Sequence, residues 1–380
     1  MQLSSRLDKF PEYIFSKLAK KVALVEKETG RKVLNFGIGS PDYPPSAKYV
    51  AKVQEFFAKP KAHLYPGYGP NPDFVAAIQK MYSERFGVTL ETNEVFTLNG
   101  SKDGVSHIAL TLLDAGDEAL VPDPGYAGYA GPVLMVDAIP VYYNLTKATD
   151  FKIDYAELEQ KMSEKTKFIW VNFPSNPTGQ IATKAELVPL IEFCKKHQIW
   201  LLYDNAYAEI AFDGFIAPSI LEIPGAKEVA VEFGSFSKSH SFAGYRIGWI
   251  AGNAEVVAAL GKIKSQLDTG MAVPLQDLAV YALNNPDPEW SKAMIAEYQR
   301  RRDIIAEKLI KLGCKFEKPK ASLYIWAEIP EEFADSEEFS MKILNEKQVM
   351  LTPGTAFGEN GKRYVRVSIC VNVDRIDEYL

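Results

Sequence analysis

The sequence predicts an α/β chain: a large, mostly parallel sheet sandwiched by helices, followed by a smaller α+β domain. Three observations predict it. Short apolar runs alternate with amphipathic stretches through the middle of the chain, the pattern of parallel strands with helices on their faces. Two of these runs are bridged by a stretch that opens with a helix-capping signal, which makes a βαβ unit. The turn cluster Asn284-Asn285-Pro286-Asp287-Pro288 then separates this body from a long helical stretch and two further apolar runs. The length agrees, since 380 residues suit one large layered domain or two unequal ones.

Taken in order, the strand-like Val33-Leu34-Asn35-Phe36 runs into a turn marked by Gly37, Gly39, Pro41, Pro44 and Pro45. The clearest strands follow: Lys167 to Asn172, Ile199 to Asp204, Val229 to Phe233 and Arg246 to Ile250. Between the first two, Thr183 with Glu186 three residues on announces a helix through Lys196. After the turn cluster a helix is predicted through Lys311, then the runs Ser322 to Trp326 and Tyr364 to Ile369. The N-terminal strand is expected to pack with this last region. The boundaries are therefore a large domain over 46–284, a discontinuous small domain from 14–45 and 285–380, and an N-terminal arm over 1–13.

Composition excludes more than it proposes. Hydrophobic residues at 47% and charged residues at 24% are ordinary for a globular chain and exclude disordered, collagenous and coiled-coil classes. The 43 Lys and Arg against 49 Asp and Glu leave −6, the wrong sign for a chain that binds phosphodiester backbones, so no nucleic-acid partner is expected. Cys194, Cys314 and Cys370 are too scattered for a disulfide framework or a cysteine-rich zinc site. The N-terminus has charges where a signal peptide needs an apolar core, and no later stretch resembles a membrane span. A cytoplasmic chain without a membrane partner is expected.

The common nucleotide and hydrolase motifs are missing. Gly37-Ile38-Gly39 lacks the third glycine of a dinucleotide fingerprint, and Gly361-Lys362-Arg363 lacks the hydroxyl of a P-loop. Gly100-Ser101-Lys102-Asp103-Gly104 places its serine one position too early for a nucleophile elbow. His63, His107, His197 and His240 show no metal-ligand spacing, and no metal is expected. The run Arg300-Arg301-Arg302, between Glu297 and Asp303, reads as a solvated, salt-bridged helix face.

What remains is Ser235-Phe236-Ser237-Lys238 just past an apolar strand, with Arg246 eight residues on. A lysine among hydroxyls and near an arginine offers a Schiff-base amine beside a phosphate site. Asp204 ends the preceding strand with Tyr207 three residues later, and Asn176 follows the strand before that. Pyridoxal phosphate needs such a carboxylate against its pyridine nitrogen and such donors to its phenolate oxygen. Its phosphate needs a group of donors, which Ser101, Lys102, Ser235, Ser237 and Arg246 could supply. Taken singly, Asn-Pro-Thr-Gly is also an ordinary turn, Gly-Ser-Lys-Asp-Gly an ordinary helix start, and Asp204 an ordinary cap. It is their order, each just past a predicted strand, that points to one ligand.

On these residues the chain resembles the fold-type I, class I/II pyridoxal-phosphate-dependent aminotransferases, from Asn35-Phe36-Gly37-Ile38-Gly39 to Tyr364-Val365-Arg366-Val367-Ser368. The resemblance implies that pyridoxal 5'-phosphate is held by Lys238 as the Schiff-base lysine, with Asp204 at the pyridine nitrogen and Asn176 and Tyr207 at the phenolate. It implies Tyr126 stacked on the ring, and Tyr65 reaching the phosphate of a neighbouring subunit, hence a homodimer with shared sites. Arg366 would hold the substrate α-carboxylate, and Gly39 would pass close to the substrate. Within the family the chain looks most like the LL-diaminopimelate or aspartate aminotransferase-like branches, which would place Tyr13 near the substrate. It departs from them in Asp268-Thr269-Gly270-Met271-Ala272, which has no arginine for a distal carboxylate.

The implied reaction is ping-pong transfer of an amino group from an α-amino acid to a 2-oxo acid. The alternatives are a β-eliminating carbon–sulfur lyase on the same site and a ligand-sensing regulator. The regulator is disfavoured because the 34 residues before Asn35 are too few for a DNA-binding domain.

Overall fold

Runs that are apolar at every position become strands buried on both faces. The computed structural model of the protein describes residues 3–10 and 14–380. The strands in chain order are β1 (Leu34–Asn35), β2 (Val95–Leu98), β3 (Glu118–Asp123), β4 (Ile139–Asn144), β5 (Thr166–Asn172) and β6 (Trp200–Asp204). They continue with β7 (Ala230–Ser235), β8 (Gly248–Gly252), β9 (Tyr324–Glu328), β10 (Val349–Met350), β11 (Thr352–Pro353) and β12 (Tyr364–Ser368). Seven of them form one sheet in the order β2-β8-β7-β6-β5-β3-β4, in which β8 runs antiparallel to both neighbours.

Alternation along β5 shows how this sheet is covered. Ile169 and Val171 enter one apolar cluster, shared with the helices Pro72–Phe86 and Lys184–His197. Phe168 and Trp170 enter another on the opposite face, shared with the helices Ser101–Leu112 and Ala254–Lys264. The parallel strands β5, β6 and β7 lie side by side, so their carboxyl ends open on one edge of the molecule, where open α/β sheets bind ligands.

The expected helix after Thr183 is present with its full capping box, and the helix Pro288–Lys311 follows the turn cluster. The C-terminal region builds a second antiparallel sheet, β11-β12-β9. β1 pairs with β10 across more than 300 residues (Leu34 with Val349), and Phe36 lies in the core cluster of this second sheet. That cluster also takes in Tyr207, Ile210 and Phe212 from the chain just past β6. None of the described helices is long and apolar enough to cross a membrane.

Two expectations shift. The strand expected from Arg246 begins at Gly248, because Arg246 itself occupies a left-handed turn at φ 56°. The arginine run is salt-bridged, but only Arg300 is solvated. Arg301 and Arg302 are 7% and 1% exposed, held by Asp42 and Glu297 and by Asp213 and Asp303. Asp42 and Asp213 come from distant segments, so pairing across the fold, invisible to local spacing, lets these cations be buried.

Candidate functional site

A cavity of about 700 Å³ lies at the carboxyl ends of β5, β6 and β7, of a size suited to a cofactor together with a small substrate. It collects Gly39, Ser101, Lys102, Tyr126, Asn176, Asp204, Tyr207, Ser235, Ser237, Lys238, Arg246 and Arg366 from the residues singled out in the sequence. Tyr65 is not among them. It is 84% exposed, on a loop that also exposes Leu64 and Tyr68. Tyr13 lies outside the described residues.

Lys238 is carried by the short helix Phe236–Ser239, whose N-cap Ser235 accepts a bond from the Ser237 amide at 3.1 Å. That turn aims the lysine across the cavity, where Nζ donates to the Gly39 carbonyl at 2.7 Å. Gly39 has to be glycine: a Cβ there would lie 2.1 Å from the Tyr324 hydroxyl.

Asp204, the last residue of β6, is buried. Burial pushes its carboxyl above the ordinary range, against the Tyr129 hydroxyl, the Ala206 amide and the nearby Lys238, all of which favour the charged form. Tyr129 donates to Oδ2 at 2.8 Å and is itself stacked on Trp170 at 4.7 Å. Asn172, at the end of β5, donates to the Asp204 carbonyl at 2.7 Å and accepts the Asn176 amide at 2.7 Å. One asparagine therefore locks two neighbouring strand ends together.

Arg366 on β12 is 4% exposed, donating to Asn176 Oδ1 at 3.0 Å and to the Gly37 carbonyl at 2.9 Å. Its guanidinium is packed against the rings of Tyr324 (4.3 Å to the centroid), Phe357 (4.5 Å) and Phe15 (5.4 Å). Its Nε is a buried donor without a partner, and no carboxylate pairs with it among the described residues. A buried, uncompensated guanidinium is a receptor for an anion. Tyr207 is also buried, its hydroxyl 3.1 Å from that of Tyr324. Burial, then Tyr324, holds the Tyr207 hydroxyl well above its usual pKa, so it stays a proton donor.

At the other end of the cavity the helix Ser101–Leu112 begins without a side-chain cap, leaving first-turn amides for an anion. Gly100, at φ 78°, lets the Arg246 guanidinium lie against this turn, since a Cβ would sit 2.3 Å from it. Arg246 reaches Ser237 Oγ at 3.5 Å and the Ala243 carbonyl at 2.8 Å. Beneath the turn, Asp103, His107 and Asp268 have metal-ligand spacing, but the Lys264 ammonium occupies it, 2.5 Å from Asp103 and 2.6 Å from Asp268. The donor set fits pyridoxal phosphate: amides, hydroxyls and a guanidinium for a phosphate, a buried carboxylate, an amine between, and an aromatic face at Tyr126.

Three contributors escaped the sequence reading. Tyr129 carried a weak signal, three residues past Tyr126 in the same motif. Tyr324 carried none, because it meets Tyr207 across 117 residues. The helix Ile14–Thr29 lines the cavity with Phe15, Leu18, Ala19 and Val22, a stripe at helical spacing that was legible.

The family described as aminotransferase class I and II matches residues 31–380. An LL-diaminopimelate aminotransferase of Dehalococcoides mccartyi is 40% identical over 379 residues, covering 100% of this chain and 97% of that protein. One from Desulforudis audaxviator is 37% identical over 376 residues, covering 99% and 95%. Among solved structures, apo-BacF from Bacillus subtilis aligns with TM-score 0.94 at 35% identity, covering 100% of this chain and 97% of that one. An aminotransferase from Staphylococcus aureus aligns with TM-score 0.89 at 32% identity, covering 99% and 96%.

Proposed function

The chain belongs to the class I and II aminotransferases, enzymes that move an amino group from an α-amino acid to a 2-oxo acid, and we propose that it does so with pyridoxal phosphate bound across the cavity described above. The observation that carries the assignment is the Lys238 amine, set in one cavity between a buried carboxylate, Asp204, and an uncompensated guanidinium, Arg366.

In this reading Ser101, Lys102, Ser235, Ser237 and Arg246 hold the phosphate, and Tyr126 covers the ring. Asp204 would serve the pyridine nitrogen, and Asn176 and Tyr207 the phenolate oxygen. When bound, pyridoxal phosphate supplies an electron sink for the electron pair left on a substrate α-carbon. The protein's own residues do the rest. Lys238 would hold the cofactor through its aldehyde, and its Nζ, once released, would take the α-proton as general base and return it as acid. Arg366 grips the α-carboxylate in a bidentate fork and so fixes which bond at the α-carbon faces Lys238. Tyr207 keeps its proton and donates it as a hydrogen bond. The helix Ile14–Thr29 lines one side of the cavity with Phe15, Leu18, Ala19 and Val22.

The exposed loop of Leu64, Tyr65 and Tyr68 supports a homodimer in which Tyr65 reaches the neighbouring phosphate site. The division into a cofactor domain over 46–284 and a substrate-clamping domain from 14–45 with 285–380 has support in the presence of two separate sheets, and a cytoplasmic setting suits the reaction. β-Elimination on the same site has no comparable support from the relatives.

Purified protein loaded with pyridoxal phosphate should lose its aldehyde absorbance on addition of a substrate amino acid and regain it with a 2-oxo acid. Replacement of Lys238 by Ala should slow that half-reaction by at least about 1,000-fold, the scale of a lost proton-transfer catalyst. A wild-type rate in the Lys238→Ala protein would overturn the assignment.

A further inference from the structure

We propose that the amino donor carries an apolar, uncharged side chain of the size of phenylalanine, leucine or methionine, received by the inner face of the helix Ile14–Thr29. The inference rests on the transaminase reading and adds the substrate class to it.

Elimination over the cavity wall gives the result. The phosphate end is accounted for by the start of the helix Ser101–Leu112 with Ser235, Ser237 and Arg246, and the ring by Tyr126, Asp204, Asn176 and Tyr207. With the α-carboxylate on Arg366 and the α-carbon at Lys238, the side chain is left the remaining wall. Its apolar part is Phe15, Leu18, Ala19 and Val22 on one helix face, with the exposed Ile38 and the buried Met350 beside them, and its other polar members, Asn35, Ser40 and Tyr324, are uncharged. It begins next to the carboxylate anchor, since the Arg366 guanidinium lies 5.4 Å from the centre of the Phe15 ring.

The cations among the described lining residues are Lys102, Lys238, Arg246 and Arg366, and the function proposed above assigns each of them to the cofactor or the α-carboxylate. None is left for a second carboxylate. Nor would the loop proposed to reach the neighbouring site provide one, because residues 63–72 and 267–272 contain no Lys or Arg. Aspartate, glutamate or LL-diaminopimelate, the substrate named for the relatives, would bring a charged far end against this wall. A carboxylate taken from water without a partner is strongly disfavoured, whereas apolar area gains by the transfer.

The test follows the half-reaction of the wild-type holoenzyme with phenylalanine, leucine, methionine, aspartate, glutamate and LL-diaminopimelate, read as loss of the aldehyde absorbance. The expected result is a kcat/KM at least about 100-fold higher for the best apolar donor than for any acidic one. Aspartate, glutamate or LL-diaminopimelate reacting as well as the apolar donors would overturn this inference and leave the transaminase reading standing. No conversion by any of the six would likewise overturn this inference, whereas the transaminase reading fails only if no α-amino acid at all changes that absorbance.

The Ala19→Arg variant gives a second measurement at an exposed helical position that tolerates arginine. Its added cation should raise kcat/KM for an acidic donor at least about 10-fold and lower it for the apolar ones, by the pairing of opposite charges. Unchanged ratios would show that the helix face does not meet the side chain, and would overturn the proposal.

Discussion

At the scale of single residues, the pattern of what was legible follows sequence distance. Lys238, Asp204 and Asn176 were readable because each sits at or just past the end of its own strand, so that local order reports their convergence. Tyr129 and Tyr324 were not, because a tyrosine's role depends on what the fold brings opposite its hydroxyl. Tyr129 is the more informative. Its hydrogen bond favours the charged form of a carboxylate that burial disfavours. In Tyr129→Phe the opposing donor is gone, so the Asp204 pKa rises further and the charged fraction falls first at the acidic end. The acid limb of kcat against pH should therefore move to higher pH, with cofactor held more weakly on that side. A profile that superimposes on the wild type would remove Tyr129 from the positioning of Asp204. Arg366→Lys keeps the charge but loses the fork that binds Asn176 and Gly37 at once. It should lower kcat/KM on the order of 100-fold, mostly through KM, as two charge-assisted bonds to the substrate are disrupted.

At the scale of elements, a cap is the clearest case of sequence specifying structure. Thr183 and Glu186 announce the helix Lys184–His197, and the two exchange the bonds of a capping box there. Glu186 also pairs with Lys152, and this bond above all, helped by those from Thr183, brings its carboxyl from 4.5 to about 2. The pKa is lowered by folding, so the stabilisation is complete above about 4.5 and is lost as pH falls toward 2. Comparing wild type with Glu186→Gln by denaturant unfolding should show a gap of about 1 kcal/mol near neutrality, kept small by the solvent exposure of the pair. That gap should close on acidification through this window, and a gap that persisted at the acid end would point to packing instead of charge. The helix Ile14–Thr29 is the opposite case. Its stripe could be read, but a stripe announces only that something is buried. In the fold the stripe packs Leu18 against Met350 and Leu344 from the far end of the chain and also lines the cavity, and neither partner is visible in local sequence.

At the scale of the whole molecule, the two ends of the chain complete the site that its middle begins. β1 lies against β10, Gly37 and Gly39 follow β1, and both glycine carbonyls receive cations of the site, Arg366 and Lys238. The net charge of −6 carried no hint of this, because cations gathered in one cleft cancel in a sum over 380 residues. Among the described residues, one proposed for the site still lies outside the arrangement. Tyr65 is 84% exposed on its own chain, and the shared-site dimer gives it a phosphate only in the neighbouring subunit. Complementation tests that division of labour. A Lys238→Ala chain has a sound Tyr65 loop and a dead site, whereas a Tyr65→Ala chain has a sound lysine and a faulty loop. In the mixed dimer the lysine of the second meets the loop of the first, and one of its two sites is intact. Unfolding and refolding the two variants together at equal amounts makes about half the dimers mixed, so activity should return to about a quarter of wild type, well above the average of the two separate variants. If Tyr65 served its own subunit, every site in the mixture would carry one defect, and the refolded mixture would show only that average.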